Sequence, residues 1–576
     1  MPMVSLLLTY SAAYGVEGPT LEDFRVRLAS LPKSRLVMIC GVLNALLRSK
    51  SGQPVDISAH DGIARAFLTK KLADKLCNHP NGFLPYVVFN RQGLLFVMKE
   101  ALVYASDDEN LAFDNETLGE IFLMANDYMH FENLGSTKEN LDQFVKSAIH
   151  MIPVQEAVSD RVRHKILRAY QMTSESALDP YRKEAFFFDV PKLFEESVGI
   201  SLPNFYALVV GALSRFAVFK PEDFVKDPLS YVLTHAWFDS TKIKPDSVSN
   251  FLKYISATPD EFTTSLATSG GPADFTAFRN KPLLQLVRGL HLIDLWFLAE
   301  KYESGPFWSI FASLKAKDKP LFFSFWGLLF EAYMSKILSS SSDGKKNVVH
   351  VAPKFAVSRE EVCDTIVICG SDAVFVEMKG GTFTAKNKYG GNVAALRQEL
   401  ESKLVESSDR DQAVNQLARN IHRAFGGQRE DIEGLDLRRI NTIYPLVITR
   451  DDIGGVVGVN AFLDDHFRRI MRRDELTVSV TPLVCMSSDN AEAVSAYLKE
   501  TSLAAILAAH IAANRRSGGK YMMAPIFTVT NKELSKLGER TIPNQQQEWD
   551  VLMTSMLDHL GIGAPDETPW SFKKPE

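Results

Sequence analysis

The sequence changes character near residue 305, and this change limits what the 576-residue chain can fold into. Before residue 305, apolar residues recur at helical spacing, prolines and glycines separate the segments, and alternating strand patterns are nearly absent. The segments with helical spacing are residues 34–47, 93–105, 117–130, 204–219 and 282–302. The pattern predicts an all-α N-terminal region over residues 1–304, without the regular repeats of a solenoid.

Beyond residue 305, short apolar runs typical of strands alternate with helical segments. The strand-like runs are residues 347–351, 362–369, 373–378, 441–449 and 476–486. The helical segments are residues 322–338, 392–406, 410–425, 459–471 and 491–514. This order predicts an α/β domain with a central mixed sheet over residues 305–540, followed by a C-terminal tail over residues 541–576. The chain as a whole is predicted to be multidomain.

Charge and cysteine content restrict the class of protein further. The net charge is −6, so the chain as a whole is not a basic binder of polyanions, and any nucleic-acid surface must be local. The five cysteines form no CxxC pair, which favours reduced thiols. No Lys or Arg precedes the first apolar residues, and the longest apolar run, residues 321–330, is too short to span a bilayer. We expect a soluble cytoplasmic protein without a membrane contact.

Two apolar runs on either side of Gly370-Ser371 predict a β-hairpin, because a Gly-X pair favours a type II′ turn. If these two residues form the loop, Cys369 pairs with Asp372.

The same register places Asp364 opposite Glu377. Side chains alternate along a strand, so Glu377 and Lys379 share one face with Asp364, while Met378 points away. A four-residue loop would pair Asp364 with Lys379 instead and give the same convergence.

Charged side chains inside apolar strands are costly unless they are paired or bound to a metal. Two neighbouring carboxylates stay ionised when a cation lies between them, and Mg²⁺ (or Mn²⁺) binds one or two carboxylates while keeping several waters. Such a metal acidifies a bound water and offsets charge on a phosphoryl group. Lys379 is placed to hold the water or a phosphate oxygen. The alternative is a surface salt bridge between Glu377 and Lys379.

Asp364, twelve further residues and then Glu377-x-Lys379 at the end of an apolar strand resemble the PD-(D/E)xK nuclease superfamily. The core of that superfamily is a helix, a three-stranded meander, a helix and a further strand, which is the order predicted for residues 322–449. Cys363 stands where the superfamily often has proline. The resemblance implies a restriction-endonuclease-like fold and metal-dependent hydrolysis of phosphodiester bonds.

The resemblance also implies roles for individual residues. Asp364 and Glu377 would bind the metal together with the backbone carbonyl of Met378, and Glu331, on the first helix, would assist through a water or a second ion. The implied catalytic residues are Asp364, Glu377, Lys379, Glu331 and Gln416, the last on a helix after the strand. The segment after the strand suits a flexible loop that contacts nucleic acid through Lys386, Lys388 and Tyr389, although a solvated loop explains it nearly as well.

A large helical region before such a domain resembles single-chain bacterial anti-phage defence nucleases. The function expected from this resemblance is cleavage of DNA, or of RNA including tRNA, restrained by the helical region until a phage-derived protein trigger binds it. The alternative is a non-catalytic adaptor, in which an inactive nuclease fold recruits a protein partner.

Overall fold

The computed structural model describes most of the chain. The described residues are 6–47, 56–78, 86–129, 162–217, 231–268, 271–287, 289–389, 392–407, 410–427, 429–455, 458–471, 476–516, 534, 542 and 545–561.

Helices dominate the region before residue 305. They are α1 (Tyr10–Tyr14), α2 (Leu21–Ala29), α3 (Lys33–Leu46), α4 (Ile57–Phe67), α5 (Lys70–Leu76), α6 (Arg91–Tyr104), α7 (Asn115–Met129), α8 (Val162–Thr173), α9 (Glu175–Leu178), α10 (Val190–Val198), α11 (Leu202–Ala217), α12 (His235–Asp239), α13 (Pro245–Ile255), α14 (Pro259–Leu266), α15 (Thr276–Asn280) and α16 (Leu295–Ser313). A capping box fixes the start of α2, where Thr20 and Asp23 each accept a hydrogen bond from the other's backbone.

The N-terminal region is not all-α, so that prediction is wrong in part. Its strands are β1 (Leu6–Leu7), β2 (Tyr86–Val87), β3 (Val232–Leu233), β4 (Ser256–Ala257), β5 (Leu283–Leu286) and β6 (Gly289–Leu292). The last four form one sheet in the order β3-β6-β5-β4. Residues 282–302 were predicted as a single helix. The error arises because β5 and β6 are short apolar runs, which periodicity does not distinguish from buried helix.

The region after residue 313 alternates helices and strands. The helices are α17 (Lys319–Ser341), α18 (Ala385–Tyr389), α19 (Val393–Leu400), α20 (Ala413–Phe425), α21 (Val459–Ile470), α22 (Ser488–Ser495), α23 (Leu503–Arg516) and α24 (Gln545–Leu560). The strands are β7 (Val348–Val351), β8 (Thr365–Cys369), β9 (Asp372–Lys379), β10 (Glu406–Ser407), β11 (Arg410–Asp411), β12 (Thr442–Thr449), β13 (Ser479–Val480) and β14 (Val484–Ser487).

Six of these strands form the predicted mixed sheet, in the order β13-β12-β9-β8-β7 with β14 also paired to β12. The β7–β8 and β8–β9 pairs are antiparallel, and β9, β13 and β14 each run parallel to β12. Two predictions are wrong in detail. Residues 476–486 form two short strands separated at Pro482, and residues 491–514 contain two helices, of which the second is capped by Ser502.

The hairpin register is confirmed, because Cys369 pairs with Asp372 and Gly370 has a φ of +70°. Ser371 is not among the residues with positive φ, as expected for a type II′ turn. A residue with a Cβ would be strained at position 370, so glycine is suited to this turn.

Each face of the sheet is covered by an apolar core. One core packs β8 and β9 against α20 and α21. The other joins β9 and β14 to α17 and continues into α8, α11 and α24. Helix α24, from the predicted tail, packs beside α11, and the Tyr302 hydroxyl lies 4.0 Å from the sulfur of Met556. Helix α16 spans residue 305, so the change in element type there occurs inside a shared core, and the domain limits stay a prediction.

Among the described residues, α17 is long and apolar enough to cross a membrane by length and composition, and the bent pair α10–α11 would be a second candidate if it were one span. In α17, 56% of the apolar window is buried within the protein. Helix α17 packs against β9 and α22, as the core helix of a soluble protein does.

Candidate active site

The candidate site lies where β9 ends. Asp364 immediately precedes β8, and the pairing of Thr365 with Val376 places it opposite Glu377, as predicted. The carboxylate of Asp364 accepts a hydrogen bond of 2.5 Å from the backbone N–H of Met378. Asp364 is therefore fixed against the strand that carries Glu377.

Glu377 and Lys379 share one face of β9. The Lys379 Nζ donates to Glu377 Oε2 at 3.2 Å and to the Gln416 side-chain carbonyl at 3.1 Å. Gln416 lies on α20, which packs on this face of the sheet. Met378 faces the other way, and its sulfur lies 3.9 Å from the hydroxyl of Ser335 on α17. The structure thus brings Gln416 together with the hairpin residues.

Glu331 approaches the same place from α17. Gly380 permits this approach, because a Cβ there would lie 2.9 Å from Gly327 Cα and from Phe330 Cβ. Glu331 is close enough to act electrostatically on Lys379 and Asp364. The residue following Lys379 therefore has to be small for the end of the strand to meet the helix.

The site holds more acidic than basic side chains. Burial, with a further contribution from Asp364, raises the pKa of Glu331 to about 8. Burial likewise raises the pKa of Glu377 to about 8, although Lys379 opposes the shift, and burial raises the pKa of Asp364. Burial alone would lower the pKa of Lys379, but the neighbouring carboxylates outweigh it and raise that pKa. Four carboxyl groups, counting the nearby Glu361, thus compete for one ammonium group.

This donor set fits a hard divalent cation. Asp364 and Glu377 offer oxygen ligands, and a cation between them would remove the repulsion that burial intensifies. Among the described residues, no group of three or more His, Cys, Asp or Glu side chains converges closely enough to hold one ion. Asp364 and Glu377 are thus the two carboxylates that would bind such an ion, and waters would have to complete its coordination, as Mg²⁺ allows.

The predicted nucleic-acid contacts do not form a flexible loop, and that prediction is wrong for the described segment. Residues Ala385–Tyr389 are helix α18, and Lys388 is 4% exposed and forms an ion pair with Asp451. A lysine held in this way contributes to the fold and does not reach a phosphate. Lys386 is exposed, as a phosphate contact requires. The side chain of Tyr389 lies outside the described residues.

Three residues beside the site were not predicted from the sequence. Glu361 precedes Asp364 by three residues, and burial and Asp364 raise its pKa. Tyr181, from the N-terminal region, has a pKa raised by burial and by Glu331. The backbone N–H of Arg450 donates to the Lys379 carbonyl at 3.0 Å. A search for acidic residues upstream of Asp364 would find Glu361, whereas the contact of Tyr181 depends on tertiary packing.

Comparison with known proteins identifies no relative. No family model, no curated protein sequence and no solved structure matches this chain. Arguments about function therefore depend on the residues and geometry of the site itself.

Proposed function

We propose that the C-terminal region is a metal-dependent nuclease of the PD-(D/E)xK type with a restriction-endonuclease-like fold. The observation that carries this proposal is the convergence of Asp364, Glu377 and Lys379 at the end of β9, with Gln416 bound to the lysine. These residue types supply a metal-binding pair and a cation for the reacting phosphate. Glu331 adds a third carboxylate at the edge of the same site.

Each side chain has a distinct task in the proposed reaction. Mg²⁺ or Mn²⁺ held by Asp364, Glu377 and the Met378 carbonyl would supply an acidified water and offset charge on the phosphoryl group. The Lys379 ammonium orients the water or a phosphate oxygen, and Gln416 fixes the direction of that ammonium. Glu331 contacts the site through a water or a second ion.

The wider role we propose is a cytoplasmic anti-phage effector that cleaves DNA, or RNA including tRNA, and is restrained by the helical region until a phage-derived protein trigger binds. Aromatic contacts between the helical region and α17 support restraint of the nuclease site. The rings of Tyr181 and Phe187 each pack edge-on against Phe325 of α17, with centroids 5.8 and 5.9 Å apart. A change in the helical region would therefore act directly on the helix that carries Glu331.

The test incubates full-length protein with plasmid, linear DNA, single strands, total RNA and tRNA, each with Mg²⁺, Mn²⁺ or EDTA. Phage lysate is added to half of the samples to supply a trigger. Glu377→Gln should be inactive, whereas Glu433→Gln, which removes an exposed partner of Arg359, should cleave like the wild type. Cleavage that persists in Glu377→Gln or in EDTA would contradict the proposal. The absence of cleavage on every substrate, with no metal binding at Glu377, would favour the adaptor.

A further inference from the structure

A second cluster of charged side chains joins the N-terminal region to the sheet. Its members are Lys165, Arg168, Glu303, Arg450, Asp489 and Glu492. Arg168, on α8, lies at the centre and is 1% exposed. Its guanidinium donates to Glu303 at 3.0 Å, to Glu492 at 2.6 Å and to Asp489 at 2.7 Å. One arginine thus ties α8 to α16 and α22.

Two connections lead from this cluster to the candidate site. The Tyr333 hydroxyl, on α17, donates to Glu492 at 2.9 Å, and Tyr333 is two residues beyond Glu331. Arg450 lies 3.7 Å from Glu303 through its Nε, and its backbone N–H donates to the carbonyl of Lys379. The cluster therefore contacts both the helix that carries Glu331 and the end of β9.

These polar contacts fix the rotation of α17 about its axis, which apolar packing leaves free. Apolar burial is non-directional, so it tolerates a small rotation of α17 about its own axis. Hydrogen bonds are directional, so the bond from Tyr333 to Glu492 sets that rotation, and with it the position of Glu331. Arg168 in turn holds Glu492, which burial and the neighbouring Asp489 would otherwise keep from ionising.

We propose that Arg168 is a positioning residue of the nuclease site, although it belongs to the N-terminal region and touches neither the substrate nor the metal. The inference rests on the proposed function. It means that the helical region is part of the framework of the site, and that the C-terminal region alone does not form an active enzyme.

The test compares Arg168→Lys and Tyr333→Phe with wild-type full-length protein, each assayed with the phage lysate that supplies a trigger. Arg91→Lys is the matched control, because Arg91 also donates to a buried carboxylate, with two bonds of 2.8 Å to Asp294. We expect kcat per folded molecule to fall about 100-fold in Arg168→Lys, since small misplacements of catalytic groups have effects of this size. Tyr333→Phe should lower kcat less, and KM should stay within about twofold in both variants, because neither residue binds substrate. The control should retain wild-type kcat even if its unfolding temperature falls.

A second measurement does not require activity. Hydrogen exchange in metal-free protein should accelerate in α17 and at the end of β9 in Arg168→Lys, and not in Arg91→Lys. Wild-type kcat in folded Arg168→Lys, or equal losses in the control, would overturn the inference. If the wild type cleaves nothing even with phage lysate present, the proposed function fails by itself. The hydrogen-exchange rates then show whether Arg168 orders the part of α17 that carries Glu331. If those rates are unchanged in Arg168→Lys, the positioning role of Arg168 is overturned as well.

Discussion

Two buried charge clusters lie at neighbouring strand ends of the same sheet, and they differ in charge balance. Lys379 pairs with Thr449, which pairs with Ser487, so β9, β12 and β14 end side by side. The Arg168 cluster sets three basic groups against three carboxylates. The candidate site sets Lys379 against the carboxyl groups of Asp364, Glu377, Glu331 and Glu361.

Under the proposed function, the difference separates a structural cluster from a site that binds a metal ion. Buried charges are tolerated when each is paired with an opposite charge, and every charged group of the Arg168 cluster has such a partner within 3.7 Å among the chain's own residues. The excess negative charge at the end of β9 requires a cation from solution or protonation. Charge balance is therefore the property that the experiments below examine.

The largest expected effect is on cleavage. Lys379→Ala should reduce the rate about 1,000-fold or more, because loss of a positioned charge at the reacting group has effects of this order. Lys345→Ala, at an exposed lysine before β7, is the control and should retain wild-type activity. Single-turnover assays with excess enzyme measure the rate. Near-normal cleavage by Lys379→Ala would return this residue to a simple salt bridge with Glu377.

The second expected effect is on stability, at the balanced cluster. Arg168→Met should lower the free energy of unfolding by about 3–5 kcal/mol, because it leaves buried carboxylates without their partner. Urea denaturation of metal-free protein measures this change. A loss below about 1 kcal/mol would mean that the cluster is hydrated and that the contrast between the two clusters is not real.

The third expected effect is on metal binding. Mn²⁺ at about one hundred times its dissociation constant should stabilise the wild type by roughly 2.7 kcal/mol, since ligands that bind only the folded state stabilise it by mass action. Glu377→Gln should lose most of this gain, whereas Tyr333→Phe should keep it. Equal stabilisation of all three proteins would place the metal elsewhere.

The smallest expected effect is a change in the free energy of unfolding, and its sign distinguishes the two clusters. In metal-free protein, Glu377→Gln should raise the free energy of unfolding by about 1 kcal/mol, comparable to one pKa unit of interaction, because it removes repulsion from Asp364. Glu303→Gln, in the Arg168 cluster, should lower it, because burial of Glu303 is outweighed by neighbouring cations, Arg168 foremost, which lower the pKa of that carboxyl. The same sign for both substitutions would refute the distinction drawn from charge balance.

Local chemistry made the hairpin predictable. Gly370-Ser371 fixes the register, and period-two alternation then places Glu377 and Lys379 on one face with Met378 on the other. Gln416 was found from a family pattern, and its bond to Lys379 agrees with that position. Turn residues and strand alternation are short-range properties, so a single sequence contains them.

Long-range packing was not predictable in the same way. The burial of Lys388 against Asp451 depends on a strand that follows more than fifty residues later. Arg168 forms ion pairs with Asp489 and Glu492, which lie more than 300 positions later in the sequence. Single arginines and glutamates on helices read as solvated faces, and only the fold shows which of them are buried.

The position of α24 has a consequence for biosynthesis. This helix closes the core beside α11, yet about 230 residues separate its start from the end of α16. At 5–20 residues per second, the ribosome needs roughly 10–50 s to make that stretch. During this time the apolar surface of the N-terminal helices that α24 later covers is exposed. We therefore expect chaperones to bind these helices during translation. A nascent chain that already contains the hairpin still lacks α24, so its core is incomplete. We therefore do not expect the nascent chain to cleave nucleic acid.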